Sequence, residues 1–402
     1  MISRNRINAA RQGVSRFFNE RSTHNPGEFR YSATGAPTLY SSCYALMALH
    51  YVSDTPVDPT VRQEWGSYIN SWQDSVTGEF IGPELLCDVS NTAKHDKEHL
   101  TLHLATTVLP ALAILKIAPR FKLNFAQRFL DEDYLLEWLD RRDWSDAWLE
   151  GNNLIFVLQL LIYLRDEEHQ IGAQSSIDRV FSWLDSEMDP QTGLWGTNGF
   201  CSNFIAMCGG YHQLLAYYYE KKPIAHPHRL IDTTLALQHD DGGFAPNGGG
   251  GACEDVDAVD ILVNLYKRHD YRRAEIRVAL RKCAHLILDL QMPDGGFVYR
   301  KNEPFSHMGM TATATPSNHS TAFATWFRVH TLALIAEVLS DESIGKYQWN
   351  FNPVLSMGWH SQWGKGNQLR FGVLKEIRSV GLKKWIRSYL SFAVVERLRS
   401  IR

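Results

Sequence analysis

Two kinds of apolar stretch alternate along this 402-residue chain. The first kind is amphipathic, with apolar positions every three to four residues and polar ones between: 61–72, 125–139, 176–184, 228–237 and 271–290. The second is apolar almost all the way round: 39–51, 99–117, 149–164, 203–219, 256–266 and 318–339. An amphipathic helix needs one buried face, whereas a helix apolar on every side must be buried on every side. The pattern therefore predicts six inner helices, each paired with an outer one, with residues 1–20 supplying the first outer helix. Six such pairs fit a closed double ring better than an open stack. The expected fold class is all-α, built of about six helical hairpins.

A turn element recurs between the helices. It reads Gln73 to Gly78-Glu79-Phe80, then Met188-Asp189 to Gly193-Leu194-Trp195. It returns as Gln238 to Asp241-Gly242-Gly243-Phe244 and as Gln291 to Asp294-Gly295-Gly296-Phe297. The later copies lie about fifty residues apart, and the first gap is about two such periods. A degenerate copy, Asp143-Trp144-Ser145-Asp146-Ala147-Trp148, falls inside that gap. Asp-Gly-Gly supplies a tight turn with positive φ, and the aromatic after it can plug the joint between hairpins. The Gln amide stands at a helix end, where backbone groups lack partners. These residues are expected to be staples and not catalysts.

The Q-x-x-D-G-G-F elements resemble the repeat shared by squalene-hopene-type cyclases and the β subunits of protein prenyltransferases, over most of residues 30–340. The resemblance implies an α/α toroid with its site in the central cavity. With the shift in composition after Leu339, a toroid domain is expected over 1–345 and a C-terminal extension over 346–402. The resemblance also implies a terpene cyclase-like or prenyltransferase-like enzyme that takes an isoprenoid or other small hydrophobic substrate; acid-initiated chemistry would require no cofactor, with a divalent metal as the alternative. In class II terpene cyclases an inner-helix start carries D-x-D-D, whose middle Asp protonates an alkene or epoxide. Here a glycine loop ending at Gly251 runs into Glu254-Asp255-Val256-Asp257-Ala258-Val259-Asp260. Direct matching of D-x-D makes Asp257 the acid; matching helix phase through Ala258 makes it Asp255. Glu254 and Asp260 complete the acidic set.

Carboxylates in a first helical turn are stabilised as anions by the helix dipole. A general acid needs the opposite shift, from desolvation or from a like charge. Glu254, Asp255 and Asp257 crowd within one turn, so repulsion can hold one of them protonated. The other inner-helix starts are also polar, as a cavity mouth should be. His99 and His103 stand four apart and share a face. A divalent metal there would need a third ligand such as Asp255 or His319 from another repeat; the commoner alternative is a polar wall in which a His hydrogen-bonds a carboxylate. Asp146, Trp148, Glu150 and Asn153 open the third inner helix, Asn203 the fourth, and Asn318 with His319 the sixth. Together with Trp326 these are the candidate substrate-binding residues. Trp148, Phe323 and Trp326 offer π faces for a cation.

Two other functions fit the same pattern. A carbohydrate-active six-hairpin barrel, acting as hydrolase, lyase or epimerase, would use paired acids such as Asp146 and Asp257. A non-catalytic toroid would use the polar mouth for binding alone. The character of the cavity discriminates them: a deep aromatic cavity with one buried acid, a wet cleft with two facing acids, or a filled barrel.

Composition changes this picture little. Aromatic residues reach 12%, and the net charge of −3 gives no reason to expect nucleic acid as a partner. The six cysteines form no C-x-x-C pair and are expected to be reduced. The N-terminal residues lack the apolar run of a signal peptide, so a cytoplasmic location is expected. No Walker A loop, G-x-S-x-G or H-E-x-x-H is present, nor an Asp-x-Cys with a late His of the zinc prenyltransferase kind. Residues 365–402 carry ten Lys or Arg against two Glu. Within them 382–398 reads as a basic amphipathic helix suited to a membrane surface, an acidic partner or the barrel itself.

Overall fold

A computed structural model describes residues 2–56, 58–88 and 95–360. The basic 382–398 segment lies outside the described residues. Thirteen α-helices are numbered among the described residues. Six of them are buried on nearly every face: α2 (Leu39–Tyr51), α5 (Lys97–Leu115), α7 (Ala147–Asp166), α9 (Asn203–Tyr219), α11 (Ala252–Arg268) and α13 (Ala322–Val338). Six bury only one stripe: α1 (Arg4–Arg21), α3 (Pro59–Ser71), α6 (Glu132–Asp140), α8 (Ala173–Glu187), α10 (Pro227–Ala236) and α12 (Arg273–Asp289). The short α4 (Pro83–Asp88) lies between α3 and α5.

The inner helices pack in the order α2, α5, α7, α9, α11, α13 and back to α2, which closes the ring. Where α7 meets α9 the backbones nearly touch, and a Cβ on Gly151 would stand 2.4 Å from the Gly209 carbonyl oxygen. Two helical segments, Lys97–Leu115 and Trp144–Asp166, are long and apolar enough to cross a bilayer, but most of each is buried inside the ring.

Helix ends follow their caps. Thr38, Asp96, Asp146, Ser202 and Thr321 each accept a hydrogen bond from a backbone N–H of the first turn of an inner helix. Two expected segments change as a result. The outer stretch 125–139 is split, because Asp131 caps α6 and leaves a 3-10 turn, Asn124–Leu130, before it. The last inner helix begins at Ala322, not 318, because Thr321 caps it and Asn318 holds a φ of +61°.

The repeated turns are staples of one design. Gln238 Nε2 donates to Gly242 O and to Ala279 O of the next outer helix, both at 2.9 Å. Gln291 Nε2 donates to Gly295 O (2.8 Å) and, across the seam of the ring, to Ala10 O of α1 (2.9 Å). Gln73 Nε2 does the same with Gly78 O (3.1 Å) and Phe121 O (2.9 Å). The aromatics that follow, Phe80, Trp195, Phe244 and Phe297, are fully buried. At the C-terminal ends of the inner helices the segment 347–360 closes the barrel. Tyr51 and Tyr211 donate their hydroxyls to the carbonyls of Gly358 and Met357, and Trp359 is buried against Tyr219.

Candidate functional site

The opposite end of the barrel holds a cavity of about 210 Å³. Five inner helices line it: α5 with His99 and His103, α7 with Trp148 and Asn152, α9 with His212, α11 with Cys253 and Asp257, and α13 with Phe323 and Phe327. The connection from α12 to α13 folds over the mouth and adds Tyr299, Phe305, His307 and Met308; Met357 reaches the cavity from the closed end. The α2 side is filled, since the Tyr40 and Tyr44 rings pack on His307 at 5.3 and 6.0 Å. A cavity of about 150 Å³ holds benzene. This one has room for a substituted ring or a short branched chain, not an extended triterpene.

The four acids of α11 have four different environments. Glu254 accepts from the Tyr299 hydroxyl (2.7 Å) and from Arg300 Nη2 (2.9 Å), and so ties the mouth connection to the helix. Asp255 is fully buried against the Arg328 guanidinium and accepts from Phe244 N (2.8 Å). Asp257 faces the cavity, and its Oδ2 is buried with no hydrogen-bond partner among the described residues. Burial first, and the nearby Glu254 second, hold its carboxyl well above the usual carboxylate range. Asp260 lies one turn deeper, off the cavity wall, and accepts from Asn264 Nδ2 (3.0 Å). Burial pushes it up to about 8, against the pull of Arg268.

The cavity is also rich in imidazole. His95 stacks on His99 at 4.6 Å, and His103 stands 5.2 Å from His307. Burial lowers His99 and His103, and takes His212 down to about 4 and His307 to about 3. These rings are neutral near pH 7. Among the described residues no group of three His, Cys, Asp or Glu is spaced to hold a metal ion. The third ligands considered for His99 and His103 do not come near them: Asp255 is taken by Arg328, and His319 is exposed and bonded to Ser317 O (3.0 Å).

Of the residues singled out in the sequence, His99, His103, Asp146, Trp148 and Asp257 come together on the cavity wall. Glu150 and Asn153 stand behind His99. Asn203 is exposed at the start of α9, and Asn318 is exposed and paired with Asn302 (3.1 Å). Trp326 is buried on Tyr44, with ring centroids 4.8 Å apart, and packs the core. Among the wall residues not anticipated are His212, Tyr299, Phe305 and His307. His212 carried a signal, an imidazole beside Gln213 in the largely apolar and aromatic middle of α9. His307 carried none, since 299–321 belongs to no repeat.

No family model and no curated protein matches the chain. Solved structures do. A polysaccharide lyase is 12% identical, with 84% of this chain and 98% of that one covered and a TM-score of 0.51. A family 88 glycosyl hydrolase from Bacteroides vulgatus is 12% identical, with 84% and 99% covered and a TM-score of 0.50. The fold is that of the α/α toroids. The type II terpene cyclase MstE from Scytonema is also similar, at 14% identity, with 84% and 99% covered and a TM-score of 0.44. At such identities the likeness extends to the fold and no further.

Proposed function

We propose that this toroid is an enzyme whose reaction begins with proton transfer from the Asp257 carboxyl to a small unsaturated substrate, as in class II terpene cyclases. One observation carries the reading. Asp257 lines a cavity walled by Trp148, Tyr299, Phe305, Phe323 and Phe327, burial holds its carboxyl well above the usual carboxylate range, and its buried Oδ2 has no hydrogen-bond partner among the described residues. The O–H adds its proton to one alkene carbon and leaves a cation on the other. The aromatic faces stabilise that cation. The cavity volume selects a short isoprenoid or a single-ring compound.

The test is incubation with short prenyl alcohols and cyclic terpenoids in D2O, followed by mass analysis of the products. Wild type is expected to place one deuterium in the product, and Asp257→Asn none. Equal turnover by Asp257→Asn and wild type overturns the reading. A second reading has its own support: the imidazole-rich wall and ring-sized volume also suit a neutral sugar, with an imidazole taking the proton beside the carbonyl of its ring-opened form and returning it to a carbon of the enediol while the Asp257 carboxyl hydrogen-bonds the carbonyl oxygen. A panel of monosaccharides and short glycans in the same assay separates the two. The basic segment near the C-terminus would serve the first reading by contact with a membrane surface, and loss of vesicle binding on deleting 382–402 tests that.

A further inference from the structure

Proton addition from Asp257 leaves a cation that must lose a proton elsewhere, and the cavity wall offers several neutral imidazoles. One of them differs from the rest in what stands behind it. His99 Nδ1 lies 2.8 Å from Asn153 Oδ1. Asn153 Nδ2 in turn donates to Glu150 Oε2 (3.0 Å). A carboxylate only accepts, so the Asn153 amide is fixed with its NH2 toward Glu150 and its carbonyl toward His99. Glu150 is itself held by Arg142 Nη1 (2.6 Å) and by Asp143 N (3.1 Å), and it is almost fully buried. The Arg142 guanidinium lies over the Trp138 ring, 3.9 Å from its centroid. Because the carbonyl can only accept, the proton of neutral His99 sits on Nδ1, which leaves a lone pair on Nε2.

We propose that His99 is the proton acceptor of this cavity, and that Arg142, Glu150 and Asn153 are positioning residues that lock it as the Nδ1–H tautomer. The role as acceptor rests on the proton-transfer reading; the tautomer lock does not. In the second step the C–H bond beside the cationic carbon breaks. Its electron pair forms the new C=C, and the proton goes to His99 Nε2. The resulting imidazolium returns a proton to the Asp257 carboxylate through solvent, so both groups are restored with no net proton consumed.

The other rings are less able to take a charge. His103 and His307 are disfavoured as cations by burial, and no carboxylate is among the groups that act on either. His212 has its Nδ1 on Cys208 O (2.7 Å), but its charged form has no carboxylate to favour it. His99 alone among these four is favoured as a cation by nearby carboxylates, Asp96 and Asp146, beside the Asn153 carbonyl; its other neighbours are His95, His103, His212 and the Phe156 ring.

The lock is read without a substrate, from long-range 1H–15N spectra of protein labelled at histidine, with the His99 signal identified by its loss in His99→Gln. Wild type is expected to show a protonated Nδ1 and a bare Nε2 near pH 7. Glu150→Gln releases the Asn153 amide to turn and should populate the Nε2–H form. Asn153→Asp should draw His99 into the imidazolium form at neutral pH. A wild-type Nε2–H form, or nitrogen shifts unmoved in both variants, overturns the lock. With a turned-over substrate, His99→Gln should lower kcat about 100-fold or more with little change in KM, and Glu150→Gln should shift the pH profile of kcat. Unchanged kcat in His99→Gln overturns the acceptor role. Absence of turnover by wild type sinks the reading of function instead, and the spectra still decide the lock.

Discussion

Asp255 and Asp257 are separated by one residue and have opposite fates, and the difference comes from α13. Arg328 arrives from 73 positions further along the chain and takes Asp255. Nothing comparable reaches Asp257. The sequence made the acidic cluster visible but left the acid open between the two, because local spacing says nothing about which carboxylate meets a distant guanidinium. The pair predicts a stability result. Arg328→Leu leaves Asp255 buried without its counter-charge and should cost about 3–5 kcal/mol in chemical denaturation, whereas Arg328→Leu with Asp255→Leu should recover much of that. Asp260 predicts a pH result. Its folded-state value, about 8, lies above the ordinary 3.8, so the native protein holds a proton that the unfolded chain releases. Stability from this group is therefore full below pH 4 and falls as pH rises toward 8. Asp260→Asn should match wild type in Tm at pH 4 and exceed it increasingly up to pH 8.

At the scale of elements, the turns were legible because their chemistry is local. Asp, Gly and an aromatic at fixed spacing need no distant partner to be recognised, and all four aromatics are buried as the spacing implied. The inner and outer helices were legible for a related reason, since burial on one face or on all faces is written into the periodicity. The mouth was not. The apolar run of α13 extends by pattern to Asn318, yet the Thr321 cap ends the helix and leaves Asn318 and His319 in solvent. The staple design can be tested at the seam. Gly295 holds a φ of +90°, and a Cβ there would stand 2.1 Å from Gly13 O. Gly295→Ala should lower Tm more than Gln291→Ala, which removes the bonds to Gly295 and Ala10 and should cost about 1–3 kcal/mol. Thermal unfolding of the two variants side by side gives the order.

For the molecule as a whole, the cavity is a product of what fills the rest of the barrel. The mouth connection supplies its roof, and the 347–360 segment supplies Met357 to its floor. The hydroxyls of Tyr51 and Tyr211 fasten that segment. The double variant Tyr51→Phe, Tyr211→Phe should loosen it, and limited proteolysis should then cut within 347–360 at protease levels that leave wild type intact.

The staple from Gln291 to Ala10 repeats, in geometry, the one from Gln238 to Ala279, but it spans 281 positions of sequence against 41. On a ribosome α1 is thus made long before the turn it is stapled to across the seam. Until residue 291 and its turn emerge, the nascent chain is an open horseshoe, with the apolar flank of the α1–α2 hairpin uncovered for most of synthesis. Closure of such a long loop is entropically slow. Seam closure is therefore expected to be a late step of folding, and until then the apolar flank of the α1–α2 hairpin stays open to a holding chaperone.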